Sequence, residues 1–110
     1  MRYTHAKFQV QGYVGAVREV GKTLKIRISR TESRKDRESG DRQERTTWNT
    51  VTVFERMPGA AWIKENLKPG DLVSVEGNFF ESSYSRDGGT VYETTLAADF
   101  LAVIPTGRGS

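Results

Sequence analysis

A chain of 110 residues without cysteine fits one domain and excludes both a disulfide framework and a thiolate metal site. Its formal charge of +3 and pI near 9.4, carried mostly by arginine, suit a polyanionic partner without approaching a histone-like tail. No apolar run reaches the roughly 20 residues of a membrane span, and Met1-Arg2-Tyr3-Thr4-His5 lacks the apolar core of a signal peptide, so an intracellular protein is expected.

Apolar residues recur mainly with period two, which predicts strands. Phe8, Val10, Gly12, Val14 and Ala16 alternate with mostly polar neighbours in a long first strand, where Gly12 and Gly15 mark a bend or bulge. Leu24, Ile26 and Ile28 alternate with Lys25 and Arg27 in a second, which turns the two cations outward. From Arg30 to Arg45 the chain is dense in charge. Arg30, Arg34, Lys35, Arg37, Arg42 and Arg45 nearly cancel against Glu32, Asp36, Glu38, Asp41 and Glu44. With Ser39-Gly40-Asp41 as its turn, this stretch reads as a solvated hairpin loop.

Trp48 to Phe54 predicts a third strand, with Val51 and Val53 on one face and Trp48, Thr50, Thr52 and Phe54 on the other. Turning the valines inward places both aromatics on the outer face. The reverse would expose valine and bury threonine. A helix is expected over about Ala60 to Leu67, with Ala60, Ile63 and Leu67 as its buried stripe and Lys68-Pro69-Gly70 as its stop. Trp62, beside Ile63, reads as a packing residue. Leu72 to Phe80 predicts a fourth strand with Val73 and Val75 toward the core. A turn at Asp87-Gly88-Gly89 and a last strand over Val91 to Val103 complete the pattern. Of Phe79, Phe80 and Tyr92, at least one is expected in the core.

Three strands, a short helix and two more strands give an all-β chain with the arrangement of an OB-fold, a five-stranded Greek-key barrel, although an SH3-like barrel would read similarly. Residues 1–105 are expected to form this domain and residues 106–110 a short tail.

No catalytic constellation emerges. His5 is the only histidine and lies near the N-terminus, and without cysteine or a second histidine a zinc site is not expected. Ser39-Gly40 and Gly88-Gly89 lie in hairpin turns, so neither leads a phosphate-binding loop into a helix. The carboxylates are scattered, mostly beside arginine. Neither catalytic residue, metal, cofactor nor small-molecule substrate is expected, and the chain is read as a binding protein. Its aromatics carry the positive signal. Binding of a single nucleic-acid strand needs a flat π surface for each base and cations along the backbone. Trp48 and Phe54 on one strand face meet the first need, and Tyr84, among Ser82, Ser83, Ser85 and Arg86, is a third candidate.

Three segments carry a resemblance. Thr47-Trp48-Asn49-Thr50-Val51-Thr52-Val53-Phe54, then Leu67-Lys68-Pro69-Gly70-Asp71-Leu72-Val73-Ser74-Val75-Glu76-Gly77, then Asp87-Gly88, Tyr92-Glu93-Thr94 and Ala98-Asp99-Phe100 follow in order. Together they resemble the bacterial single-stranded DNA-binding protein family over roughly Lys7 to Ile104. The resemblance implies an OB-fold that binds single-stranded DNA without strong sequence preference and protects it in replication, recombination or repair. It also implies a cytoplasmic, nucleoid-associated homo-oligomer, commonly a tetramer, though a dimer is possible. Trp48, Phe54 and Tyr84 fall where that family stacks bases, and Lys7 and Arg56 where it commonly places DNA-contacting cations. Lys25, Arg27 and Arg86 are further candidates, and the family places the loop bearing Arg34 and Arg37 against the DNA.

There are departures from the family pattern. Arg34 stands where many members have an aromatic, and Asn49 where many have histidine near a subunit contact. Val17-Arg18-Glu19-Val20 replaces an acidic-proline segment, and Met57-Pro58-Gly59 adds residues before the helix. Members commonly continue into a linker with an acidic tip that recruits partner proteins. Pro105-Thr106-Gly107-Arg108-Gly109-Ser110 offers no such tip, so recruitment through it is not expected. A primosome-like accessory barrel, binding protein partners and single-stranded DNA weakly, is the alternative.

Overall fold

A computed structural model describes residues 4–105, so the expected tail at 106–110 lies outside the described residues. Its strands are β1 (Lys7–Val20), β2 (Thr23–Lys35), β3 (Arg42–Phe54), β4 (Leu72–Arg86) and β5 (Gly89–Ile104), with the helix α1 (Ala60–Asn66) between β3 and β4. The strands close into a barrel in the order β1-β2-β3-β5-β4, antiparallel except where Thr52 of β3 meets Ala97 of β5. This is the OB-fold.

The period-two pattern builds the core. Ile26, Ile28, Val51, Val53, Val73 and Val75 are the largest fully buried side chains. Each contributes on the order of 1.5–3 kcal/mol by leaving water. Seven residues are too few for a helix to stand alone, so α1 is held by its packing: Ile63 and Leu67 join the core cluster. The Pro-Gly stop works as expected, since Gly70 takes φ 96° and donates its N–H to the Val14 carbonyl at 2.7 Å.

Four features differ from the sequence reading. The bulge expected at Gly15 is present, between the pairs Val14↔Ile28 and Ala16↔Arg27, but the parity after it differs from the simple alternation. A bulge reverses the pleat, so Val17 rather than Ala16 turns to the core after it. The charged segment at 30–45 is mostly not a loop. β2 and β3 stay paired as far as Lys35↔Arg42, and only 36–41 turns. Likewise β4 and β5 run past the barrel to the pair Arg86↔Gly89, where Asp87 (φ 50°) and Gly88 (φ 79°) both take the positive φ of a two-residue hairpin turn. Finally, Phe79, Phe80 and Tyr92 are all exposed, and so is Trp62 at 53 %, because each lies beyond the barrel wall or on the solvent side of α1.

Candidate nucleic-acid interface

β3 presents Trp48 directly opposite Ser29 of β2. Serine is small enough for the indole to reach across β2 to β1, where it meets the Gly15 bulge. A Cβ added at Gly15 would lie only 2.4 Å from Trp48 Cζ3. On the same face, Arg27 pairs with Thr50 and lays its guanidinium over the indole, 4.7 Å from the ring centroid. A cation over an exposed ring contributes roughly 0.5–1 kcal/mol. It also prevents the long side chain from collapsing elsewhere. Trp48 remains 47 % exposed.

One pleat repeat along, Lys25 donates to the Thr52 hydroxyl at 2.7 Å. Thr52 belongs by parity to the outer face, yet it is buried beneath this contact and beside β5. The outer face is therefore not uniformly open. Past it comes Phe54, half-buried, with the Arg56 guanidinium 5.6 Å above its ring.

Phe54 and Arg56 line a cleft of about 350 Å³ together with Phe80, Asn78 and Asp99. The sequence pattern leaves Phe80 ambiguous, although β4 carries a signal. Val73 and Val75 set the inward parity of β4, and Phe80 has the opposite parity. Tyr84 and Arg86 share the parity of Phe80, so all three side chains leave the same face of the β4–β5 ribbon. Tyr84 is 45 % exposed, and its cross-strand partner is Val91. Lys7 stands opposite Asn78 at the β1–β4 seam and lines an adjoining cleft with Asp99 and Phe100. Trp48, Arg27, Lys25, Phe54, Phe80, Tyr84, Arg86 and Lys7 thus lie on outward faces of neighbouring strands, with Arg56 in the turn just after β3.

Arg34 and Arg37 do not join them. Arg34 pairs with Gln43 and has the pleat parity of Ile28, opposite to that of Arg27, while Arg37 lies in the turn at the ribbon tip. Much of the ribbon's polarity is spent within itself: Arg30 pairs with Glu32 at 2.9 Å, and the hydroxyls of Thr31 and Thr46 meet at 3.1 Å. Away from this face, a hydrogen bond and the charge of Glu19 hold the Lys64 ammonium above the usual lysine pKa.

Comparison with known proteins agrees with this geometry. The sequence profile of the Single-strand binding protein family matches residues 16–104. The single-stranded DNA-binding protein of Xanthomonas campestris is 36 % identical over 86 residues, covering 77 % of this chain and 48 % of that protein. The chain spans about half the length of its Xanthomonas relatives. A Plasmodium falciparum SSB solved in complex with ssDNA superposes with a TM-score of 0.73 at 16 % identity, covering 96 % of this chain and 99 % of that one. A Thermus aquaticus single-stranded DNA binding protein gives 0.72 at 21 % identity, covering 91 % and 50 %. These likenesses show a common fold.

Proposed function

The chain belongs to the single-strand binding protein family, and on that premise we propose that its barrel binds single-stranded DNA with little sequence preference and catalyses no reaction. The observation that carries this is the row of solvent-facing rings Trp48, Phe54, Phe80 and Tyr84, interleaved with Arg27, Lys7 and Arg86 on the strands and Arg56 in the turn after β3. Each ring accepts any base, because every base has a π face, and each stack contributes roughly 1–3 kcal/mol. The cations neutralise phosphates between stacks. A duplex hides its base faces, so this surface selects the unpaired strand. From its membership of the family, we further propose that the chain protects such strands in replication, recombination and repair, in the cytoplasm.

The working unit is proposed to be a homo-oligomer, most simply a tetramer. β1 pairs with β4 only from Lys7 to Tyr13 and with β2 only from Tyr13 onward. Among the described residues each half of the strand therefore keeps one unpaired edge, a ready template for a second copy. A monomer mass by light scattering at micromolar concentration would contradict this assembly.

The binding proposal is tested by titrating intrinsic fluorescence with oligo(dT) and with duplex DNA of equal length. Quenching by oligo(dT) at far lower concentration is expected. Equal affinity for duplex would refute the reading.

A further inference from the structure

Resting on that reading, we propose that the cleft between Phe54 and Phe80 reads one base of the bound strand, favouring guanine over thymine through Asp99. The cleft has two aromatic walls and, at about 350 Å³, room for a nucleobase. Its polar end is unusual for a phosphate-binding face: Asp99 makes no ion pair among the described residues. Arg56 lines the same cleft and supplies a phosphate partner, while the Asp99 carboxylate repels phosphate and favours a base edge beside it.

The carboxylate is also aimed. β4 and β5 pair as Glu76↔Phe100 and then Gly77↔Ala98, which leaves Asp99 as the extra residue of a bulge. Bulges re-aim side chains, and this one turns Asp99 to the cleft that Phe54 and Phe80 line. Asn78 then fixes it, donating from Nδ2 to Asp99 Oδ2 at 2.8 Å. The side chain is exposed, and a carboxylate has acceptor capacity beyond this one bond, at Oδ1 and the second lone pair of Oδ2.

Among the bases, only guanine offers two parallel donors, N1–H and N2–H, to such a pair. Cytosine and adenine set one amino group beside an acceptor. Thymine offers a single N3–H flanked by two carbonyls, which a carboxylate repels. A bidentate contact to a charged acceptor is the strong kind. The strand as a whole is still bound through sequence-tolerant stacks. The preference concerns this one position.

The test compares oligo(dT) with a thymine-rich oligomer carrying isolated guanines, at one salt concentration, by fluorescence titration. The guanine oligomer should bind at least about fivefold tighter, the lower end of what one bidentate base contact discriminates. Replacing guanine by hypoxanthine, which lacks the N2 amino group, should remove most of the gain. Asp99→Asn should abolish the preference, whereas Phe80→Ala should weaken both oligomers. Equal binding of the two oligomers by the unaltered protein, or a preference that survives Asp99→Asn, overturns the inference and leaves single-strand binding standing. Failure of both oligomers to bind overturns both.

Discussion

Replacing Gly15 by alanine separates stability from binding in a way the geometry makes quantitative. The new methyl carbon would lie 2.4 Å from Cζ3 and 2.7 Å from Cη2 of Trp48, well inside contact. The obstructing atoms are the tip of a half-exposed side chain, so the indole can swing away. A forced rotation of about 30° costs on the order of 0.5–1.5 kcal/mol. Alanine also restricts the unfolded chain, which returns about 0.4–1 kcal/mol. The two nearly cancel, and the melting temperature should move by less than about 5 °C. Binding should suffer more, because the platform has turned. Loss of one base stack is roughly 1–3 kcal/mol, or about 5- to 150-fold in affinity for oligo(dT). Gly77→Ala is the control: its Cβ would meet the backbone carbonyl of Ala97, which cannot swing away. That variant should lose several kcal/mol of stability or fail to fold. Thermal melts and oligo(dT) titrations of both variants decide the matter. A Gly15→Ala protein with unaltered affinity, or a Gly77→Ala protein that melts normally, would refute the reasoning.

Other expectations follow from the same surface. Trp48→Ala should weaken oligo(dT) binding by roughly 1–3 kcal/mol and remove most of the quenching, while Trp62→Phe, on the far side of α1, should change neither; undiminished quenching without Trp48 would contradict the assignment. Affinity should fall with salt at a log–log slope of about −0.7 per phosphate contact, and Arg56→Ala and Lys7→Ala should each flatten that slope by one such step. A salt-independent affinity would point to a different ligand. In the core, Ile28→Ala should cost about 2–5 kcal/mol in urea unfolding while leaving the salt slope of binding unchanged.

The barrel was legible wherever one face of a strand is buried. Leu24, Ile26, Ile28, Val51, Val53, Val73 and Val75 all occupy the core positions their alternation predicts. Reading failed where that physics stops. At the Gly15 bulge a single inserted residue reverses the pleat, and nothing in Gly-Ala-Val tells alternation from its reversal. Past Ile28 and Phe80 both faces of each ribbon meet water, so no binary pattern survives to mark a strand. Charge balance then suggests a loop where the structure has paired backbone. The aromatics show the same boundary. Trp48 and Phe54 could be placed because Val51 and Val53 lie between them, whereas Phe79 and Phe80 stand together at the rim, where burial is decided by where the barrel ends.

The boundary between legible and illegible sequence is also a boundary between two tasks. Inside the barrel, apolar burial holds each strand in a unique register, and substitutions there act on folding. In the β2–β3 and β4–β5 ribbons there is no core, and two strands without one are marginally stable. Such ribbons are held by ladder hydrogen bonds and small contacts, such as Arg42 donating to the Ser33 hydroxyl at 3.1 Å. A segment of this kind opens at low free-energy cost. A strand laid along Phe80 and Tyr84 must then order the ribbon that carries them, and the cost of doing so is subtracted from the stacking gain. Trp48 stands differently. It is braced by Arg27 and the Gly15 bulge over the closed part of the barrel. The preorganised ring should therefore contribute nearest the full value of a stack, and Tyr84, far out on its ribbon, the least.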